Sequence, residues 1–199
     1  WSEAHEISHS LIQWHGPLMS VDCAGTLSPS CAQLMEAEAN YASGRLLFLR
    51  DQFLLESRSV EPTWDSINCL AERYNNTKTS TLWRFVEASE VPCFGIVSHP
   101  LRREEESFDE PCKYFIRSRK FMALYPRFTA EEAVNIFESY RRRTRGGPMG
   151  SHVALIEDDN GDEHEFYFES FSNSYEALTI ATYRKKRPLV VSVPGLAGR

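Results

Sequence analysis

Apolar residues recur along the first half of the chain at the three-to-four spacing of helices and along much of the second half in short, strand-like runs. Residues 1–15 read as a helix with Ile7, Leu11, Ile12 and Trp14 on one side, stopped by the Gly and Pro of "HGP" (15–17). A loop-like stretch to about Pro29 follows. From about Ser30 to about Leu55, Leu34, Met35, Tyr41, Ala42, Leu46, Leu49 and Phe53 keep helical spacing, with Gly44 a tolerated weak point. Two more helices are expected within 61–89, with Pro62 near the first turn, a turn at Asn75-Asn76 and Thr77 as an N-cap, in the outline of a helix-turn-helix.

Beyond Val91 the pattern changes to strand-like runs at 93–99, 112–118, 151–157, 164–171, 177–183 and 189–193, with Asn160-Gly161 signalling a hairpin between two of them. A helix over about 129–143 interrupts the series, starting at Thr129 with Glu131 and Glu132 in its first turn and ending in arginines that suit its dipole. The expected fold is therefore α+β. A helical region spans 1–90, a mixed α+β module of unknown role spans 91–199, and the boundary lies near 90. No internal repeat is visible.

A net charge of -6 at pH 7 excludes attraction to nucleic acid or anionic membrane by bulk charge, although "RRRTR" (141–145) and "RKKR" (184–187) are locally basic. The five cysteines form no C-x-x-C pair, so neither a disulfide framework nor a zinc knuckle is indicated and a reducing cytoplasm fits. No run of apolar residues is long enough to span a membrane.

The chemistry that stands out is "HEISH" (5–9), which fits H-E-x-x-H: histidines four apart on a helix face one way and can share a zinc, while the glutamate handles protons. Those residues are His5, His9 and Glu6. His15 has the spacing of a third metzincin histidine, but Ile12 stands where that pattern needs glycine. On a helix continuing to residue 15, His15 would lie about 15 Å along the axis from His5, so it is expected to be a helix-end residue. The second helix offers Glu36 and Glu38, about 200° apart, so only one can face the metal. Glu38 shares the apolar stripe of Leu34, Met35, Tyr41 and Ala42, whereas Glu36 shares a side with Ala32, Gln33, Asn40 and Ser43. A buried carboxylate needs a partner, which selects Glu38.

Together, "HEISH" and the later "EAEANYASGRLLF" resemble the ImmA/IrrE family of metallopeptidases, specifically over residues 1–50 and more weakly over 61–89. The resemblance implies zinc held by His5, His9 and Glu38, with Glu6 as the catalytic glutamate of a zincin-like endopeptidase. It also implies a protein substrate, a helix-turn-helix transcriptional repressor cleaved under stress or during mobile-element induction. Ser8 stands where that family has glycine or alanine, and Leu49-Arg50 replace Met-Pro. The strands and helix that precede the zinc helix in the family are not in this sequence, so the helical half is expected to be truncated upstream of Trp1 and to be less stable or less active without that segment.

The alternative reading is a non-enzymatic DNA-binding regulator with a structural metal, using Lys78, Thr79, Ser80 and Arg84 as contacts. His99, His152 and His164 lack spaced ligand partners, and "DDNGDE" reads as a hairpin rather than a calcium loop.

Overall fold

In the computed structural model, which describes residues 2–20, 28–49, 51–98, 110–142, 144 and 146–184, a five-stranded antiparallel sheet follows a run of helices. The elements are α1 (Ser2–Leu11), α2 (His15–Ser20), α3 (Pro29–Leu47), α4 (Asp51–Ser59), α5 (Trp64–Arg73), α6 (Lys78–Ala88), β1 (Cys93–Ser98), β2 (Tyr114–Arg117), α7 (Arg119–Leu124), α8 (Ala130–Tyr140), β3 (Gly147–Glu157), β4 (Glu163–Ser172) and β5 (Ala177–Tyr183). The strand order is β2-β1-β5-β4-β3. The expected strands at 93–99, 112–118, 151–157, 164–171 and 177–183 correspond to β1–β5, and 189–193 lies outside the described residues.

Local signals set several boundaries. Thr129 and Glu132 form a reciprocal capping box at α8, and the Thr77 side chain accepts from Ser80 N–H at the start of α6. Gly161, at φ +85°, makes the turn between β3 and β4.

The long helix expected from 30 to 55 is two helices. It passes through Gly44 and breaks at Phe48 and Leu49, where Leu49 takes φ +48°. The break lets Phe48 and Phe53 enter one core, with ring centroids 4.6 Å apart. Hydrophobic burial at both positions outweighs the modest cost of a left-handed leucine.

The sheet has a helical layer on each face. On one side Phe48, Phe53, Ile67, Leu82, Phe85 and Val86 pack with Cys93, Val97, Leu178 and Ile180. On the other, Phe121, Tyr125 and Phe137 pack with Phe94, Ile96, Phe166 and Phe168. The alternation of Cys93 and Val97 with Phe94 and Ile96 along β1 is the two-residue period of a strand buried on both faces. The first of these cores crosses the expected boundary near 90, since α5 and α6 share it with β1 and β5. Gly95 makes the close approach possible, because a Cβ there would meet Val86 Cγ2 at 3.3 Å.

Among the described residues, no helix is long and apolar enough to cross a membrane.

Candidate metal centre

The centre lies where α1 crosses α3, and none of its residues belongs to either sheet core. The seam between the two helices consists of small residues, Ala4 and Ser8 facing Ala39 and Ser43, all buried. Small side chains let helix axes come close together. Ser8 Oγ donates to Ala4 O at 2.7 Å and lies 3.1 Å from Ser43 Oγ, so its hydroxyl is satisfied where the resembled family carries glycine or alanine.

This crossing brings His5, His9 and Glu36 together as a group able to hold a metal ion. His5 Nε2 and His9 Nε2 are 3.2 Å apart. One Glu36 oxygen is 3.1 Å from His5 Nε2 and the other is 3.5 Å from His9 Nε2. With one ligand atom taken from each residue, the three donors lie within 4.8 Å of one another, close enough to share one ion. The far nitrogens are also engaged: His5 Nδ1 is 3.1 Å from Asn40 Oδ1, and His9 Nδ1 is 2.9 Å from His15 Nδ1. Metal-binding histidines ordinarily have such partners. His9 is almost enclosed, while Glu36 is largely exposed and leaves an approach from solvent.

Two sequence expectations change here. Glu38 does not face His5 and His9; its Oε2 accepts from Trp14 Nε1–H at 2.9 Å and lies 3.2 Å from His15 Nε2. The reason is the helix face. Of the stripe expected to be buried, Met35 is, but Leu34 and Tyr41 are 52% and 63% exposed, and the buried face of α3 runs through Met35, Ala39 and Ser43. Glu36 lies about 60° from the centre of that buried face and Glu38 about 100°. Asn40, one turn on from Glu36, is the supporting residue missed; the polar side joining Glu36, Asn40 and Ser43 was its signal.

His15 is likewise not remote. The helix ends at Leu11, a turn through Ile12, Gln13 and Trp14 follows, and His15 begins α2, with its N–H donating to Ile12 O at 2.9 Å. Gly16 and Pro17 lie in the first turn of α2 instead of stopping α1. The fold-back brings the fully buried His15 ring against His9, centroids 4.9 Å apart.

Glu6 is exposed beside His5 on α1 and makes no hydrogen bond or ion pair among the described residues. Tyr41 is exposed and Arg45 partly so, with Arg45 Nη1 3.5 Å from the Tyr41 hydroxyl.

The four side chains considered for DNA contact are engaged within the protein. Lys78 Nζ sits 4.1 Å from the Phe171 ring centroid, Thr79 donates to Glu176 at 3.0 Å, Ser80 Oγ is 2.8 Å from Thr77 Oγ1, and Arg84 pairs with Glu87 at 3.3 Å. Helix α6 also buries Leu82, Phe85 and Val86 against the sheet. Elsewhere His152 stacks on Tyr140 and His164 pairs with Asp158 at 3.2 Å, while His99 lies outside the described residues. Of "RRRTR", Arg141 pairs with Glu138, and Arg143 and Arg145 lie outside the described residues, as do residues 185–187 of "RKKR".

No protein-family model and no curated protein matches the sequence. Among solved structures, a Mycobacterium tuberculosis transcriptional regulator is similar at 11% identity and a TM-score of 0.45, the likeness covering 100% of this chain and 70% of that one. At that level it assigns no function here.

Proposed function

We propose that the chain is a zinc metallo-endopeptidase whose metal is held by His5, His9 and Glu36, with Glu6 as the proton-transfer residue. The observation that carries the reading is the convergence of the two Nε2 atoms and the Glu36 carboxylate at spacings of 3.1–3.5 Å. Two neutral imidazoles and one carboxylate are a donor set that suits zinc and leaves a fourth position open. When bound, the metal supplies a Lewis acid for the scissile carbonyl and a water acidified to a pKa of about 7.

The chain's own residues provide the rest. Asn40 and His15 hold the ligand rings in place through their Nδ1 atoms. The Glu6 carboxylate takes a proton from the attacking water and returns it to the leaving amine as the peptide C–N bond breaks. The substrate we favour is a helix-turn-helix repressor in the cytoplasm, a choice that rests on the resemblance of residues 1–50 to ImmA/IrrE proteins. The DNA-binding alternative has less support, because the candidate contact residues already serve packing inside the protein.

Metal analysis of the purified chain should find about one zinc per molecule. His5→Ala and Glu36→Ala should lose it. Glu6→Gln should retain zinc and bind a co-encoded repressor without cutting it, where the parent yields discrete fragments. Relief of repression in cells by Glu6→Gln at the level of the parent would mean sequestration, and the peptidase reading would fall.

A further inference from the structure

We infer that Glu38 and His15 act together as positioning residues that fix the tautomer of His9, presenting its Nε2 lone pair to the site. The consequence for metal affinity rests on the zinc reading above, but the tautomer itself does not.

The argument is proton bookkeeping along three contacts. A carboxylate has no proton to give, so the 3.2 Å contact between Glu38 Oε2 and His15 Nε2 is a hydrogen bond only if His15 Nε2 carries the proton. A neutral imidazole has one N–H, which leaves His15 Nδ1 an acceptor. Its partner at 2.9 Å is His9 Nδ1, which must therefore donate. His9 Nε2 is then unprotonated, and that is the atom 3.2 Å from His5 Nε2 and 3.5 Å from Glu36. The tautomers are assigned from this network of heavy-atom contacts.

Burial gives the assignment its force. His15 is 0% exposed, and these two contacts are the partners of its ring nitrogens. Glu38 is held from a second direction by the Trp14 indole N–H at 2.9 Å, which keeps its Oε2 aimed at His15. Opposite, Asn40 Oδ1 accepts from His5 Nδ1 at 3.1 Å, so in the neutral ring His5 Nε2 is unprotonated as well and its 3.1 Å approach to Glu36 Oε2 brings acceptor against acceptor. Two lone pairs then face each other beside a carboxylate, which is an arrangement that a cation relieves.

Long-range 1H–15N correlation spectra of the metal-free full chain, recorded above the pH range in which histidines protonate, should show His9 as the Nδ1–H tautomer. Glu38→Ala, checked for unchanged helicity, should shift His9 toward Nε2–H and weaken zinc binding about 10–100-fold in chelator competition. Glu38→Gln should recover most of that loss, since an amide oxygen still accepts from His15. A direct ligand would not be rescued so. Adding Glu38→Ala to His15→Ala should cost nothing further, the signature of residues acting through one path. His9 found as Nε2–H in the parent overturns the inference whatever zinc does, as does zinc affinity unchanged by Glu38→Ala. His9 found as Nδ1–H in a chain that binds no zinc upholds the relay and sinks the metal reading instead.

Discussion

Along β1, Cys93 and Val97 turn to one helical layer and Phe94 and Ile96 to the other, all without solvent exposure. Along the α1–α3 crossing, the buried residues are Ala4, Ser8, His9, Met35, Ala39 and Ser43, and the larger apolar side chains Ile7, Leu11, Leu34 and Tyr41 face outward. The sheet is thus stabilised by apolar area, while the helical pair relies on a narrow seam and a chain of hydrogen bonds. The difference places the cluster of His5, His9 and Glu36 in the part of the molecule with the smaller core. Such a part gains most from a ligand that binds only its folded form.

The largest effect should come from the sheet. Phe94 packs on Phe115, Phe121, Phe128 and Phe168 with centroids 4.8–5.5 Å away, and Phe94→Ala should cost about 3–5 kcal/mol in denaturant unfolding. Its zinc content, measured under conditions where it is still folded, should equal that of the parent. Loss of metal in step with the sheet would show that the two regions are one cooperative unit.

Next comes Ala39→Leu, which forces a larger group into a fully buried position between α1 and α3. The expected cost is about 1–3 kcal/mol, with zinc affinity falling disproportionately because His5 and His9 are carried on one helix and Glu36 on the other. Retained affinity would mean that the crossing is not what sets the ligand spacing.

A weaker effect separates the regions by pH. The Asp158 carboxyl at the β3–β4 turn is held below its usual range, first by the Asp162 backbone N–H and, against some desolvation, by the Asn160 N–H and His164. Because its folded pKa is lowered, its contribution is present above the ordinary carboxyl range and is lost as pH falls through the depressed value. Melting of Asp158→Ala should therefore fall below that of the parent at neutral pH and converge with it in acid. A gap that persists in acid would assign the effect to the turn geometry and not to the charge.

The smallest effect is expected on the outer face of the helical pair. Leu11→Ser and Leu34→Ser should each change stability by no more than about 0.5 kcal/mol in thermal melts, since both side chains are more than half exposed. A larger loss would reveal that something covers this face in solution.

What could be read from the residues alone follows from how local each signal is. The caps at Thr77 and Thr129 and the Asn160-Gly161 turn depend on a few neighbours, so composition at fixed offsets was enough. H-E-x-x-H fixed the relation of His5 to His9 because both ride on one helix. The third member of the group was harder. Choosing between Glu36 and Glu38 required knowing which face of α3 is covered, and that depends on how the two helices cross, which no spacing encodes. The fold-back of His15 was hidden because its turn, Ile12-Gln13-Trp14, contains neither glycine nor proline. The break at Leu49 was hidden for a related reason: helical periodicity runs through it, and only the shared burial of Phe48 and Phe53 explains it.

The bond between α5 and the sheet has a consequence for how the polypeptide is made. Trp64 N–H donates to Glu169 Oε2 at 3.1 Å and its indole N–H to Glu169 O at 2.8 Å, across 105 residues of sequence. A ribosome adding about 5–20 residues per second delivers β4 some 5–20 s after α5. Throughout that interval Trp64 lacks its partner on β4, and β1, destined to lie between β2 and β5, lacks a neighbour on one edge. The nascent chain exposes an aggregation-prone surface until the last strand pairs, which makes early synthesis the stage at which a holdase chaperone does most for its yield.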